Sequence, residues 1–450
     1  MKVVIGVRAA VVLSLLPLPA LAFDWGVETS VGVLTSDNLL RTNSVAPIDS
    51  VIATGLVQFQ LRETSSRLDL DVLGGLVYRD YDVQGIPSDK LPALNALLQV
   101  KLVPERLSWV FSDYLGQRAV NPNDGLLPSD REDVNVFYTG PEFRIPLAGS
   151  LWLSAAGRYG TVNYENSPFD NTRTAARIGL ERELDSGRVL SLNVADARTD
   201  FRDSDRDFDI LSAYLGYVAR GPRGLLNLNL GATSLDKSGD GNAASKTGFF
   251  GDLRLERELG QRNLVSVDFV HRLGDSSDVF RRRLNLDPEI DTVVDVVASD
   301  LAIRESSVDV TYGWSGRRTR VTVGASYMKE EYFDENVSAS RSGTGAYFIG
   351  EFQFRPNLGL HARIEWRSDT PELEETSRLM QERLSAMWNV TRTLDVEGGA
   401  ENYTRRGAAL TNYDETRFFL RVDWRPRQVS IPGLRPGFDT PTLRRLDRER

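Results

Sequence analysis

Between Val51 and Tyr81 apolar and polar residues alternate with period two. Val51, Ala53, Gly55, Val57, Phe59 and Leu61 fall on one face of an extended chain, with Thr54, Gln58 and Gln60 on the other. After the polar turn from Arg62 to Arg67 the alternation resumes: Leu68, Leu70, Val72, Gly74, Leu76 and Tyr78 share one face, Asp69, Asp71, Gly75 and Arg79 the other. The pattern predicts two strands joined as a hairpin. Each runs to roughly eleven residues, about twice the usual length in a soluble sheet and enough for a tilted strand to cross a bilayer. One face then meets lipid and the other a lumen.

The same unit recurs along the chain. Twenty such strands can be laid out between Trp25 and Trp424, with eighteen the nearest alternative. Short connections carry turn residues, as in Val103-Pro-Glu-Arg, Leu184-Asp-Ser-Gly-Arg and Phe354-Arg-Pro-Asn. They alternate with longer polar ones, at Thr35 to Ser50, Asp82 to Ala93, Val120 to Asp133, Leu235 to Lys246, Leu273 to Asp300 and Lys329 to Ser342. Short periplasmic turns facing long extracellular loops are the arrangement of an outer-membrane barrel, with both chain ends in the periplasm. The expected fold is therefore all-β, a transmembrane antiparallel up-and-down β-barrel spanning residues 23–424. A soluble β-sandwich shares the period but not twenty long strands without a break in composition. Trp109, Trp152, Tyr159, Tyr217, Trp366, Trp388 and Trp424 sit where interfacial aromatic girdles are expected.

Composition places the chain in its compartment. Lys2 and Arg8 flank the apolar run Val3 to Leu21, and Ala20-Leu21-Ala22 supplies the small residues of a cleavage site, so residues 1–22 read as a signal peptide. Losing Lys2 and Arg8 takes the formal charge from -9 to -11, which argues against nucleic acid as a partner. Cysteine is absent, so neither disulfides nor thiolate metal sites contribute. The segment 425–450, with four prolines and seven arginines, is expected to be a periplasmic tail rather than another strand.

The segment Ser36-Asp37-Asn38-Leu39-Leu40-Arg41, the later Asp49-Ser50 and the two strands ending Tyr78-Arg79-Asp80-Tyr81 resemble the start of β-barrel porins encoded in exopolysaccharide-biosynthesis clusters. The resemblance is closest over Ser36 to Asp82. It implies an outer-membrane protein associated with polysaccharide export, and brings no catalytic residues. The expected partners are outer-membrane lipid and lipopolysaccharide, a periplasmic export component and, from the inward arginines named below, an anionic polysaccharide. The alternatives are a general diffusion porin and a structural or adhesive barrel with a blocked lumen.

Chemical motifs are sparse. His271 and His361, the two histidines, fall near opposite ends of their strands and cannot share a site, while Ser266 and Asp268 lie on the face opposite His271. No enzyme and no cofactor is expected. Asp203, Asp205, Asp207 and Asp209, and the half-match to a calcium loop from Asp236 to Gly241, lack a twelfth-position glutamate or a turn glycine. They read as solvated carboxylates, and no metal site is assigned.

The candidate functional residues line the lumen: Arg363, Arg367, Arg417, Arg421, Glu397 and Glu401. An antiparallel register that sets Glu401 against Arg417 and Glu397 against Arg421 also opposes Asp395 to Asp423. Those two arginines are then held in a ladder of ion pairs. Arg363 has Glu351 as its expected cross-strand partner, whereas Arg367 shows no acidic partner and is the candidate expected to face a polymer. The longest connection, Leu273 to Asp300, holds both Arg281-Arg-Arg283 and the apolar run Val293 to Val297. It either folds into the lumen or extends the next strand above the membrane.

Overall fold

The computed structural model describes residues 24–41, 47–120, 128–185, 187–204, 207–237, 245–284, 293–294, 298–333, 340–371, 376–407 and 412–426. The signal peptide assigned to 1–22, and all but the first two residues of the tail assigned to 425–450, lie outside them.

All twenty expected strands form. They are β1 (Asp24–Ser36), β2 (Ser50–Thr64), β3 (Leu68–Tyr81), β4 (Asp89–Val103), β5 (Leu107–Ala119), β6 (Arg131–Ala148) and β7 (Leu151–Tyr164). Next come β8 (Asn171–Asp185), β9 (Arg188–Phe201), β10 (Phe208–Gly221), β11 (Gly224–Lys237), β12 (Ser245–Glu258) and β13 (Asn263–Gly274). The last group is β14 (Ile303–Ser315), β15 (Thr319–Tyr332), β16 (Arg341–Arg355), β17 (Leu358–Pro371), β18 (Ser377–Asn389), β19 (Leu394–Arg406) and β20 (Tyr413–Trp424). Each pairs antiparallel with its neighbours in sequence, and β1 pairs with β20, so the sheet closes. Closure leaves no unpaired edge, which is what lets a sheet survive in lipid.

Exposure follows the alternation. Along β2, Val57 is 50% exposed while Gln58 beside it is 3% exposed. The exposed large side chains, among them Val31, Ile178, Leu192, Leu215, Leu384 and Phe418, form an outward apolar band. Trp25, Trp109, Trp388 and Trp424 border it at the periplasmic end and Tyr78, Tyr159, Phe249 and Tyr327 toward the other. A closed barrel with an apolar exterior, aromatic borders and alternating short and long connections is a bacterial outer-membrane β-barrel. Trp152 departs from the expected girdle: it faces inward, and the Arg144 guanidinium stacks 4.3 Å from its ring.

The closing seam has its own reinforcement. β1 pairs with β20 over eight residues, against thirteen with β2. Above the last pair, the Ser36-Asp37-Asn38 stretch takes over. The Thr416 amide donates to Asp37 Oδ1 at 2.7 Å, and Asn38 Nδ2 donates to the Asp414 carbonyl at 2.9 Å. Glu415, fully buried, accepts from Ser36 Oγ at 2.6 Å, Arg41 Nε at 2.8 Å and Arg417 Nε at 2.6 Å. Arg41 is held at φ 50, a strained value for a non-glycine residue, by that carboxylate and by the Tyr403 ring 4.7 Å away. At the periplasmic end Arg425 bonds Glu28 at 2.9 Å and Asp395 at 3.2 Å, bridging β1 and β19. The segment from Ser36 to Arg41 is thus a clasp across the point where the chain closes on itself.

Candidate functional site

The loop after β13 folds into the lumen. Residues Ser276–Arg283 form a helix, α1, capped by Asp275, whose Oδ1 accepts from the Asp278 amide at 2.8 Å and from Ser277 Oγ at 2.6 Å. Val279, Phe280 and Leu284 are buried against the inner wall of β5 to β7, among Tyr114, Val134, Val136, Tyr138 and Val162. Each such side chain contributes about 1.5–3 kcal/mol when fully buried. Farther on, Val293 and Val294 pair parallel to Gln117 and Arg118 of β5, and do not extend β14, which starts at Ile303. Of the two expectations for this loop, insertion is the one observed.

Charges fix the helix from both sides. Toward β7 and β8, Tyr164 and Ser276 share a hydrogen bond of 2.9 Å, and Arg173 bonds Asp278 at 2.5 Å. Burial opposes ionisation of Asp278, but the guanidiniums of Arg173, Arg281 and Arg282 outweigh it and hold the carboxyl well below its ordinary range. Toward β14 and β15, Arg282 and Arg283 bond Glu305, and Arg283 reaches Glu330 at 2.7 Å. Arg281 lies 5.4 Å from the Tyr138 ring centre and 5.6 Å from that of Tyr114. The helix therefore spans the lumen. Apolar contacts seat it on one wall and ion pairs tie it to the other.

Beneath it lies a cavity of 1390 Å³. It extends from periplasmic turn residues such as Ser66 and Pro104 up to Arg281, Arg282 and Arg283. Its lining holds eleven basic and nine acidic side chains. Above, at the extracellular ends of β9, β10, β11 and β13, Phe201, Phe208, Ile210, Leu235 and Leu273 pack with Ala302 into a second apolar cluster.

The register between β19 and β20 is the one expected: Glu397 faces Arg421, Glu401 faces Arg417 and Asp395 faces Asp423. Arg421 bonds Glu397 at 2.6 Å and Asp423 at 3.1 Å, while Arg383 of β18 joins the ladder through Glu397 at 2.9 Å and Glu401 at 3.4 Å. Two pairings differ from expectation. Arg363 bonds Glu365 at 2.6 Å, not Glu351, which stands opposite His361. Arg367 does have an acidic partner, Asp369, at 2.8 Å. Both partners sit two residues along the same strand, about 6.6 Å away on the same face, within reach of a guanidinium. Of the six lumen candidates, Arg367 alone lines the large cavity; Arg417, Arg421 and Glu401 line a smaller one of 140 Å³ in the sector of β1 to β3 and β18 to β20.

His271 Nδ1 lies 2.8 Å from Ser306 Oγ, and its ring stacks near lipid-facing Phe249, whereas His361 is buried near the start of β17. Asp207 accepts from the Phe201 amide at 3.0 Å, and Asp205 and Asp240 lie outside the described residues. Among the described residues no group of three or more acidic or histidine side chains is placed to hold a metal ion.

The inserted helix and its seat are the functional residues that the alternation did not single out. A signal for the seat exists: in Val134-Asn-Val-Phe-Tyr138 both faces carry apolar residues, which a wet lumen would not permit.

No protein-family model matches the chain, and no curated protein does. Among solved structures, the siderophore receptor PirA from Pseudomonas aeruginosa is 12% identical over 88% of this chain and 80% of its own, with a TM-score of 0.42. The FrpB iron transporter from Neisseria meningitidis is 9% identical over 89% and 82%, with a TM-score of 0.46. OccK2 from Pseudomonas aeruginosa, in complex with glucuronate, is 10% identical over 90% and 99%, with a TM-score of 0.37. The likeness goes no further than the barrel architecture already described.

Proposed function

We propose that this barrel is a porin-like conduit through which an acidic saccharide leaves the periplasm, in the service of exopolysaccharide export. The observation that carries it is the direction of the cavity. It reaches the periplasmic turns and ends against three consecutive arginines, so a ligand loads from the periplasm and meets guanidiniums suited to carboxylates. The resemblance over Ser36 to Asp82 supplies the polysaccharide role. The apolar band meets outer-membrane lipid and lipopolysaccharide, and the periplasmic turns are where an export component docks.

Two measurements test this together. Deleting the gene should abolish or sharply reduce secreted polysaccharide, and the purified barrel should show a reversal potential displaced toward anions. The near balance of eleven basic and nine acidic lining residues favours a second reading, a general diffusion porin. In that case deletion would slow uptake of small solutes and leave secreted polymer unchanged.

A further inference from the structure

The cavity wall between the helix seat on β5 to β7 and the strands that bind Arg282 and Arg283 has a different chemistry. On β9 and β11 the inward side chains Ser191, Asn193, Asn227 and Asn229 are uncharged hydrogen-bonding groups, and all line the cavity. Pairing places Gly179 of β8 between Ser154 and Asn193, and Gly216 of β10 between Ser191 and Asn229. A side chain at either glycine would collide with the neighbouring amide or hydroxyl oxygen. The two glycines therefore let the Asn193 and Asn229 amides lie close over the strand backbone, along the cavity wall.

Those amides are underused. Asn193, 4% exposed, donates through Nδ2 to Ser191 Oγ at 2.9 Å, and its Oδ1 accepts no hydrogen bond among the described residues. Asn227 and Asn229 make no side-chain hydrogen bond among the described residues either. An amide oxygen on a cavity wall can accept from a hydroxyl that enters the cavity. Beside this row Tyr214 and Phe250 flank Gly231, with ring centres 4.9 Å apart and planes inclined at 33°. An aromatic pair next to cavity-facing amides, in a large cavity, matches a ligand with one apolar C–H face and a rim of hydroxyls.

We infer that the wall from β7 to β12 is a pyranose-binding track: Asn193 and Asn229 take sugar hydroxyls, Tyr214 and Phe250 take the C–H face, and Arg281 to Arg283 at the extracellular end of the cavity take the carboxylate of an acidic residue. The inference rests on the acidic-saccharide reading and specifies its subsite. Charge alone would hold any anion. The amide row and aromatic pair select sugars.

The test is calorimetric titration of the full-length barrel in detergent with two probes, neutral maltohexaose and hexagalacturonate. The wild type should bind both, the uronate more tightly. Asn193→Ala combined with Asn229→Ala should weaken both by about tenfold or more, as expected for two lost hydrogen bonds of about 1 kcal/mol each. Tyr214→Leu should do the same without touching the amides, and heat-modifiable migration confirms that each variant is folded. Unchanged binding of both sugars by the folded variants would overturn the track while leaving the acidic-saccharide conduit in place. So would binding of hexagalacturonate without maltohexaose, because recognition would then be by charge. Failure of the wild type to bind hexagalacturonate would remove the acidic-saccharide reading itself.

Discussion

Replacing Phe280 by alanine should release α1 from the lumen wall without unfolding the barrel. Phe280 is 1% exposed and packs within the apolar cluster formed by the inner wall of β5 to β7. Deleting such a side chain costs about 3–5 kcal/mol, and every 1.4 kcal/mol is a factor of ten, so the undocked population should rise by roughly two to more than three orders of magnitude. The strand ladders do not depend on the helix, because β13 pairs directly with β14. Trypsin reports the change directly, since Arg281, Arg282 and Arg283 are cleavable once the helix leaves the wall. In the wild type Arg282 and Arg283 are tied to Glu305 and resist cleavage. Under conditions where docking is fast relative to cleavage, the rate of cutting tracks the undocked fraction. A folded, heat-modifiable Phe280→Ala barrel cut at these arginines no faster than the wild type would refute the claim that apolar burial holds the helix.

Glu415→Ala should lower the temperature at which the folded band converts to the unfolded one, because Arg41 and Arg417 lose a buried partner at a cost of about 3–5 kcal/mol; Glu63→Ala, at the periplasmic end of β2, should leave it unchanged. Arg367→Glu should reduce anion preference in reversal-potential measurements more than Arg421→Glu, since Arg367 lines the large cavity and Arg421 is bound into the Glu397 ladder; Arg421→Glu should cost more in resistance to unfolding. Asp278, its carboxyl depressed by Arg173 and its neighbours, contributes stability that is present above its undocked value of about 3.9 and lost only as the pH falls through the depressed one. Protection of Arg281 to Arg283 from proteolysis should therefore be unaffected by Asp278 between about pH 5 and pH 8, and a loss of protection near pH 6 would assign the anchor elsewhere.

Strand positions and the β19–β20 register were legible because each is a local matter. Period two assigns faces, and the opposition of Glu397 to Arg421 follows once a single pair is chosen. Ion pairs along one strand were less legible. Arg363 with Glu365 and Arg367 with Asp369 are invisible to cross-strand register, because each pair lies on one strand at a two-residue spacing that Arg254 with Glu256 and Lys329 with Glu331 repeat. Insertion of α1 is tertiary. Ser276 to Arg283 is polar enough to be a surface loop, and its destination depends on an apolar inner wall formed by strands more than a hundred residues earlier in the chain. The amide row of the cavity was also hidden. Asn193, Asn227 and Asn229 look like ordinary inward polar residues until strand pairing sets them beside Gly179 and Gly216.

The central claim is that α1, seated across the lumen, obstructs passage through the barrel. Single-channel conductance of the purified protein, with and without residues Ser276 to Glu289, tests it most directly. Excision should raise the unitary conductance several-fold and remove the preference that Arg281, Arg282 and Arg283 confer on anions. The same conductance before and after excision would mean that the helix obstructs nothing, and that the lumen is either blocked elsewhere or open beside it.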